Sequence, residues 1–343
     1  MAKVFPKADL YALCREPELQ LDLDGRALRT TMLDRAFFRE RLGIALPLMP
    51  MAWRVMGVGK YDAVLSSHHA FAHSNRLTVD GPHLTYVHAP ARYVWTPEID
   101  PRGASRAARL AGRPLQWVDR AAAARVTSYA ANSEEVAARI ARFWNREAIV
   151  INPPVRVGYF AAGADRAGSR EYVLGVGRWI GYKNLHLVVE AGAQAGLPVK
   201  IAGGGPERDR IAAVAAAMKV QVDLIERPTD DELRQLYQRA AVLVFPAVED
   251  FGIVPVEAQA AGTPVVAIRQ GGARETVMDG VSGILTESVD VGELAAGIRA
   301  AIGMDPQACQ RSAQRFSEER FRERLQAWTS NWGIIAEDSP VSR

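Results

Sequence analysis

Two glutamates separated by seven residues, Glu249 and Glu257, frame the most informative stretch of this chain, Val244-Phe245-Pro246-Ala247-Val248-Glu249-Asp250-Phe251-Gly252-Ile253-Val254-Pro255-Val256-Glu257-Ala258. Its apolar start reads as a strand, and a turn containing Gly252 follows. A helix is expected to begin near Ile253, with Pro255 in the first turn, where a missing N–H costs nothing. The amides of Phe251, Gly252 and Ile253 are then unspent, and the helix dipole reinforces them as an anion site. Carboxylates do not suit an anion, so Glu249 and Glu257 suit neutral hydroxyls on either side of a diphosphate. The plainer reading is two solvated acids flanking a helix.

A second cluster, Gly175-Val176-Gly177-Arg178-Trp179-Ile180-Gly181-Tyr182-Lys183-Asn184, follows another apolar run and supplies two cations, Arg178 and Lys183. Such cations offset charge developing on a phosphate leaving group. They also read as a surface pair. The Gly-x-Gly-x-x-x-Gly spacing resembles a dinucleotide-binding loop, which keeps an NAD(P) oxidoreductase open. The segment about twenty residues on brings no acid for a ribose, as that loop requires, but a third turn, Gly203-Gly204-Gly205-Pro206-Glu207. A fourth, Gly271-Gly272-Ala273-Arg274-Glu275, lies beyond the glutamate pair.

These turns need strands to hold them. Apolar runs at Ala63–Ser66, Leu84–Val87, Val126–Ala130, Ala148–Ile151, Tyr172–Val176, Val199–Ala202, Val220–Ile225, Val242–Phe245, Val265–Ile268 and Gly283–Leu285 predict ten strands. Helical signals lie between several of them: a capping box at Thr229–Glu232, and an N-cap with an acidic first turn at Asn132–Glu135. The alternation predicts parallel sheets with helices on both faces. Asn152-Pro153-Pro154 interrupts the pattern and predicts a hinge between two doubly wound halves. A last helix over 317–332 places Phe321, Leu325 and Trp328 on one face.

The 343 residues, 48% hydrophobic and 24% charged, suit a globular chain of two domains. Residues 1–150 carry 21 Lys/Arg against 15 Asp/Glu, and residues 151–343 carry 21 against 24, so the first half is basic and the second acidic. The basic half could face an anionic surface, a phosphorylated lipid or nucleic acid. Cys14 and Cys309 offer neither a disulfide framework nor metal-ligand spacing, which fits a reducing cytoplasm. No run reaches the ~20 apolar residues that span a bilayer. Leu46-Pro47-Leu48-Met49-Pro50-Met51-Ala52-Trp53, with Arg54 and Lys60 nearby, could rest on a membrane surface or pack in a core, and its prolines argue against a continuous helix. His68, His69 and His73 lack a fourth ligand at metal-site spacing and read as cleft lining or surface.

Taken together, the motifs resemble family 4 of the retaining GT-B glycosyltransferases, whose signature is a Glu-x7-Glu pair, here Glu249 to Glu257 with the interior Phe-Gly-Ile-Val-Pro-Val. The likeness is greatest to bacterial O-antigen and exopolysaccharide mannosyltransferases. It implies an α/β GT-B fold: two Rossmann-like domains with parallel sheets facing each other across a cleft. The expected parts are residues 1–152 on the acceptor side, 153–315 for the donor, and a terminal helix and tail at 316–343 returning toward the first domain.

The resemblance implies transfer of a hexose from a nucleoside diphosphate sugar with retention, without a cofactor or metal. GDP-mannose is expected ahead of UDP-sugars, and the acceptor is a glycan or polyprenyl-linked glycan rather than nucleic acid. Arg178 and Lys183 would bind the diphosphate, with Gly177 and Gly204 alongside, and Ile225–Arg227, Arg227 included, would lie near the base. Glu257 would hold the ribose, Glu249 the donor sugar, and the amides of Phe251, Gly252 and Ile253 the sugar or phosphate oxygens. His88, in the stretch Tyr86-Val87-His88-Ala89-Pro90-Ala91-Arg92-Tyr93-Val94-Trp95, resembles the family's His-x-Pro-x-Arg-Tyr histidine and would face the donor sugar, with Arg92 and Trp95 nearby. Catalytic roles would fall to His88, Glu249, Arg178 and Lys183. The family's opening strand, Gly-rich loop and helix have no counterpart before Ala2–Tyr11, which resembles the end of that helix and the start of the second strand. A sugar-nucleotide-binding protein without transferase activity is therefore the alternative. An epimerase or phosphorylase of similar architecture fits the Glu249–Glu257 interior less well. The expected setting is the cytoplasm, with peripheral contact at the membrane's inner face.

Overall fold

The computed structural model describes residues 1–15, 23, 25–40, 45–57, 59, 61–78, 80–96, 106–164 and 168–335. The chain divides into two compact units, Met1–Ile151 with Arg322–Arg343, and Asn152–Phe321. The first division falls at the Asn152-Pro153-Pro154 stretch. The second lies within the last helix, beyond the expected boundary at 315/316, because Phe316 packs edge-on against Phe251 and so stays with the second unit.

In the first unit, β1 (Leu10–Ala12) and β2 (Leu28–Thr30) form a two-stranded parallel sheet of their own. Short helices α1 (Ala36–Glu40) and α2 (Met49–Val55) follow. The main sheet has the order β3 (Val64–His68), β4 (His83–Val87), β5 (Ser128–Ala131), β6 (Ala148–Val150), all parallel. Around it lie α3 (Arg92–Trp95), α4 (Arg106–Ala123) and α5 (Glu134–Trp144). Ser133 caps α5 by accepting from the Val136 amide, as its sequence signal predicts.

The second unit is a six-stranded parallel sheet in the order β12 (Gly283–Thr286), β11 (Val265–Ile268), β10 (Ala240–Phe245), β7 (Tyr172–Arg178), β8 (Val199–Gly204), β9 (Val222–Glu226). Its helices are α6 (Val157–Ala161), α7 (Leu185–Ala195), α8 (Arg208–Met218), α9 (Asp230–Arg239), α10 (Ile253–Ala260), α11 (Ala273–Thr276), α12 (Val291–Ala301) and α13 (Pro306–Ala313); α14 (Glu318–Ser330) begins in this unit and continues into the first from Arg322. Alternate residues of β10 explain why both faces need helices. Leu243 and Phe245 enter one core with Tyr237, Phe251 and Val256, while Val242 and Val244 enter the other with Val188, Leu294 and Ile298. A strand buried on both faces reads as an unbroken apolar run.

The ten anticipated strands all form, with ends shifted by two residues at most. Strand β1 begins at Leu10, within the stretch whose end resembles the start of a strand, whereas β2 was not anticipated; three residues are too few to display a period of two. Residues Ala2–Val4 form turns and not the end of a helix.

Pro47 lies in a 3-10 turn (Leu46–Leu48) and Pro50 in the first turn of α2, so the helix is interrupted where the prolines require. Trp53 is buried, with its Nε1 donating to the Ala70 carbonyl at 3.0 Å, while Met51 is 62% exposed. The surface-resting reading is thereby corrected for Trp53. Lys60 lies outside the described residues. Among the described residues no helix is long and apolar enough to cross a membrane.

Candidate functional site

Strands β7, β8 and β9 progress outward in one direction and β10, β11 and β12 in the other, so the topology reverses between β7 and β10. In open parallel sheets, ligands bind beyond the carboxyl ends of the strands at such a reversal. Here β7 ends in the loop of Gly177, Arg178 and Lys183, and β10 in the loop of Glu249 to Ile253. The two clusters singled out in the sequence are therefore neighbours.

Lys183 is buried in a 3-10 turn (Gly181–Lys183), and its Nζ forms an ion pair with Glu249 Oε1. The ammonium also lies 5.6 Å from the centroid of the Phe245 ring. Arg178 is exposed, with Nη2 3.5 Å from the Tyr182 hydroxyl. Between the loops, Asn184 Nδ2 donates to the Pro246 carbonyl at 3.2 Å. Asn184 tolerates the left-handed φ of 52° that starts α7. It stood within a quoted motif, but nothing in its spacing pointed to this tie.

Close backbone approach holds the loops. A Cβ at Gly203, where φ is +144°, would meet the Gly177 carbonyl oxygen at 1.8 Å. Gly204, at the end of β8, is paired in register with Arg178, and the side chain of Arg227 lies beside it. Arg227 itself is exposed, and its amide donates to the Gly203 carbonyl at 2.6 Å. Gly271, with φ +59°, backs the other loop: its Cβ would meet the Glu249 carbonyl oxygen at 2.4 Å. The neighbouring Gly272 amide donates to that same carbonyl at 2.8 Å.

Helix α10 begins at Ile253, as predicted, with Gly252 at φ +87°. Among the described residues no acceptor takes the amides of Phe251, Gly252 or Ile253. The Phe251 ring is buried against Phe316, so that residue can address a ligand through its backbone only. Glu257, one turn on, accepts at Oε2 from the hydroxyl of fully buried Tyr237 at 2.8 Å. Burial raises the Glu257 carboxyl above its ordinary range, Tyr237 and Arg156 pull it back, and Asp230 adds a smaller upward push. Tyr237 was not predicted; it lies twenty residues before Glu257 on α9, and only the packing of α9 beside α10 joins them.

His88 follows β4 in the first unit. Its Nε2 and the Ser67 hydroxyl are 2.8 Å apart, and burial followed by the charge of His69 lowers its pKa from the ordinary 6.5. Both effects favour the neutral imidazole.

His68 and His73 are interior residues, which corrects the cleft-lining or surface reading; His69 alone is exposed. Asp119, from α4, joins them. Its Oδ1 accepts from His73 Nε2 at 2.7 Å, and its Oδ2 accepts from Trp95 Nε1 and Trp144 Nε1, both at 2.7 Å. The ligand atoms of His68, His73 and Asp119 lie within 4.8 Å of one another. The Asp119 carboxylate is already engaged by three N–H donors, so the cluster is a hydrogen-bonded tether that anchors α3 through Trp95. The 46-residue gap between His73 and Asp119 hid it from spacing arguments.

The site is thus a parallel α/β sheet with cations and carboxylates gathered at its topological reversal. The chain has the GT-B fold. Sucrose-phosphate synthase from Thermosynechococcus elongatus superposes with a TM-score of 0.71 at 20% identity, covering 94% of this chain and 88% of that one. Anabaena Alr3699/HepE in complex with UDP and glucose gives 0.65 at 20% identity over 89% and 86%. More particularly, residues 162–320 match the family described as Glycosyl transferases group 1. D-inositol 3-phosphate glycosyltransferase of Mycolicibacterium vanbaalenii is 40% identical over 115 residues, 33% of this chain and 26% of that protein. The chain spans about a quarter to a half of the length of the curated relatives it matches.

Proposed function

We propose that this protein transfers a hexose from a nucleoside diphosphate sugar to a hydroxyl acceptor with retention at the anomeric carbon. The observation that carries the reading is the Lys183–Glu249 pair beside the amides of residues 251–253, which no acceptor takes among the described residues, with Arg178 at the end of β7. In this proposal Lys183, Arg178 and the amides take the diphosphate, Gly177 and Gly204 leave it room, and Arg227 lies by the base. Glu257, held by Tyr237, accepts from the ribose hydroxyls, and Glu249 turns to the hexose. The bond from the anomeric carbon to the diphosphate oxygen breaks, and the acceptor oxygen bonds on the same face. The acceptor proton passes to the departing phosphate. Charge grows on that phosphate, and preorganised cations stabilise it at a cost already met in folding. His88 is assigned to the donor sugar by resemblance alone.

One structural neighbour, Anabaena Alr3699/HepE, is in complex with UDP and glucose, which favours a UDP-sugar, whereas the preference for GDP-mannose rests on the motif resemblance. The test is a thermal-shift panel of UDP, GDP, UDP-glucose, UDP-N-acetylglucosamine and GDP-mannose. A ligand at a hundred times its Kd stabilises by about 2.7 kcal/mol. Product NMR of the active donor then reads the anomeric configuration. An inverted product removes the retaining mechanism, and no stabilisation by any of the panel removes the donor site. Stabilisation without transfer to any acceptor supports the binding-protein alternative.

A further inference from the structure

Two adjacent serines of β3 each hold a histidine at one end of β4. Successive side chains alternate across a strand, and here Ser66 is buried on one face while Ser67 is exposed on the other. In register, Ser66 lies opposite Thr85 and Ser67 opposite Tyr86. Ser66 reaches back two residues to His83, with Oγ and Nε2 2.8 Å apart, and Ser67 reaches forward two residues to His88, also at 2.8 Å.

The first contact belongs to the core. Asn75 Nδ2 donates to Ser66 Oγ at 3.0 Å and lies 3.3 Å from His83 Nε2, and all three residues are buried. The second lies just beyond the carboxyl end of β4, where His88 is partly exposed. The His88 amide is spent on the His68 carbonyl, its ring packs edge-on against Tyr86, and its Nδ1 has no partner among the described residues.

A neutral imidazole has one N–H and one lone pair, and the bond made by one nitrogen decides which of them carries the proton. Burial and the charge of His69 favour that neutral form. The 2.8 Å separation suits a hydroxyl donor, because N–H···O bonds cluster at about 2.9–3.0 Å. With the Ser67 hydroxyl donating, the lone pair of Nε2 is occupied and the proton stays on Nδ1.

We propose that Ser67 is a positioning residue that fixes His88 as the Nδ1–H tautomer, so that His88 gives a hydrogen bond to a hydroxyl oxygen of the donor hexose and does not act as a base. The proposal rests on the transferase reading above. In that reaction the departing phosphate takes the acceptor proton, so no lone pair on His88 is needed.

The experiment compares Ser67→Ala, which removes the hydroxyl, with Ser67→Thr, which keeps it and suits a strand. Long-range proton–nitrogen correlation spectra of the full chain, 15N-labelled at histidine, read which ring nitrogen is protonated. His83 serves as the internal reference, since its partners are unchanged. The expected spectra show His88 protonated at Nδ1 in the wild type and in Ser67→Thr, and a mixture of tautomers in Ser67→Ala. At saturating donor, kcat is expected to fall about 3–10-fold in Ser67→Ala and to recover in Ser67→Thr, with the Kd for UDP the same in all three. A proton on Nε2 in the wild type overturns the proposal, as does an unchanged tautomer in Ser67→Ala. An unchanged kcat beside a changed tautomer overturns it too, because the tautomer then has no bearing on transfer. If the wild type turns over no nucleotide sugar, the transferase reading fails separately, and the spectra still decide whether Ser67 sets the proton of His88.

Discussion

Replacing Glu249 by Gln should tighten the binding of UDP and at the same time slow sugar transfer. Glu249 holds Lys183 in an ion pair whose side chains are only 22% and 9% exposed. A diphosphate arriving at the β7 and β10 loops must therefore take the ammonium from a carboxylate. A hydrogen bond between charged partners contributes about 1.5–3 kcal/mol net. Neutralising the competitor returns part of this, and 1.4 kcal/mol corresponds to a factor of about ten in Kd. Glu249→Gln is thus expected to lower the Kd for UDP about tenfold, and Lys183→Met to raise it by about 10–100-fold. The benefit of Glu249→Gln acts through Lys183, so the double variant should bind no better than Lys183→Met, a coupling that a mutant cycle isolates. Isothermal titration at fixed ionic strength measures all four proteins, with circular dichroism checking the fold. If Glu249→Gln weakens UDP as much as Lys183→Met does, or the two effects simply add, the competition is refuted.

Tyr237→Phe should move the acid limb of donor binding to higher pH. Burial raises the Glu257 carboxyl and the Tyr237 hydroxyl opposes that rise, so losing the donor raises it further, and the ionised form is lost at a higher pH as the solution is acidified; calorimetric Kd values from pH 4.5 to 8 check this. Asp119→Asn leaves three N–H donors facing one fewer anionic acceptor and should cost about 2–4 kcal/mol, read by denaturant unfolding followed through tryptophan fluorescence. Gly203→Ala places a methyl against the Gly177 carbonyl at a positive φ and should lower stability by about 2–3 kcal/mol while weakening UDP, measured by thermal unfolding and titration. His88→Ala should reduce transfer and leave the Kd for UDP unchanged, as assayed by titration beside product formation.

Much of the second unit was legible in the sequence because its information is local. Each buried strand is a continuous apolar run, and each turn beside the site carries glycine, a cap or a proline at a position with one backbone meaning. Glu249, Glu257, Arg178 and Lys183 stand in such turns, which is why residue type and spacing sufficed to propose them. Spacing could not reveal that Lys183 and Glu249 are paired, that Tyr237 holds Glu257, or that Asp119 gathers His73, Trp95 and Trp144. Those contacts join residues far apart in the chain and exist only when helices pack on a sheet. Strand β2, three residues long, likewise lacks a local signal. The sequence by itself determined the parallel α/β alternation and the chemical types gathered at the strand ends. Only the tertiary structure decided which of those groups share a charge, because pairing depends on the reversal of strand order between β7 and β10, a property of the assembled sheet.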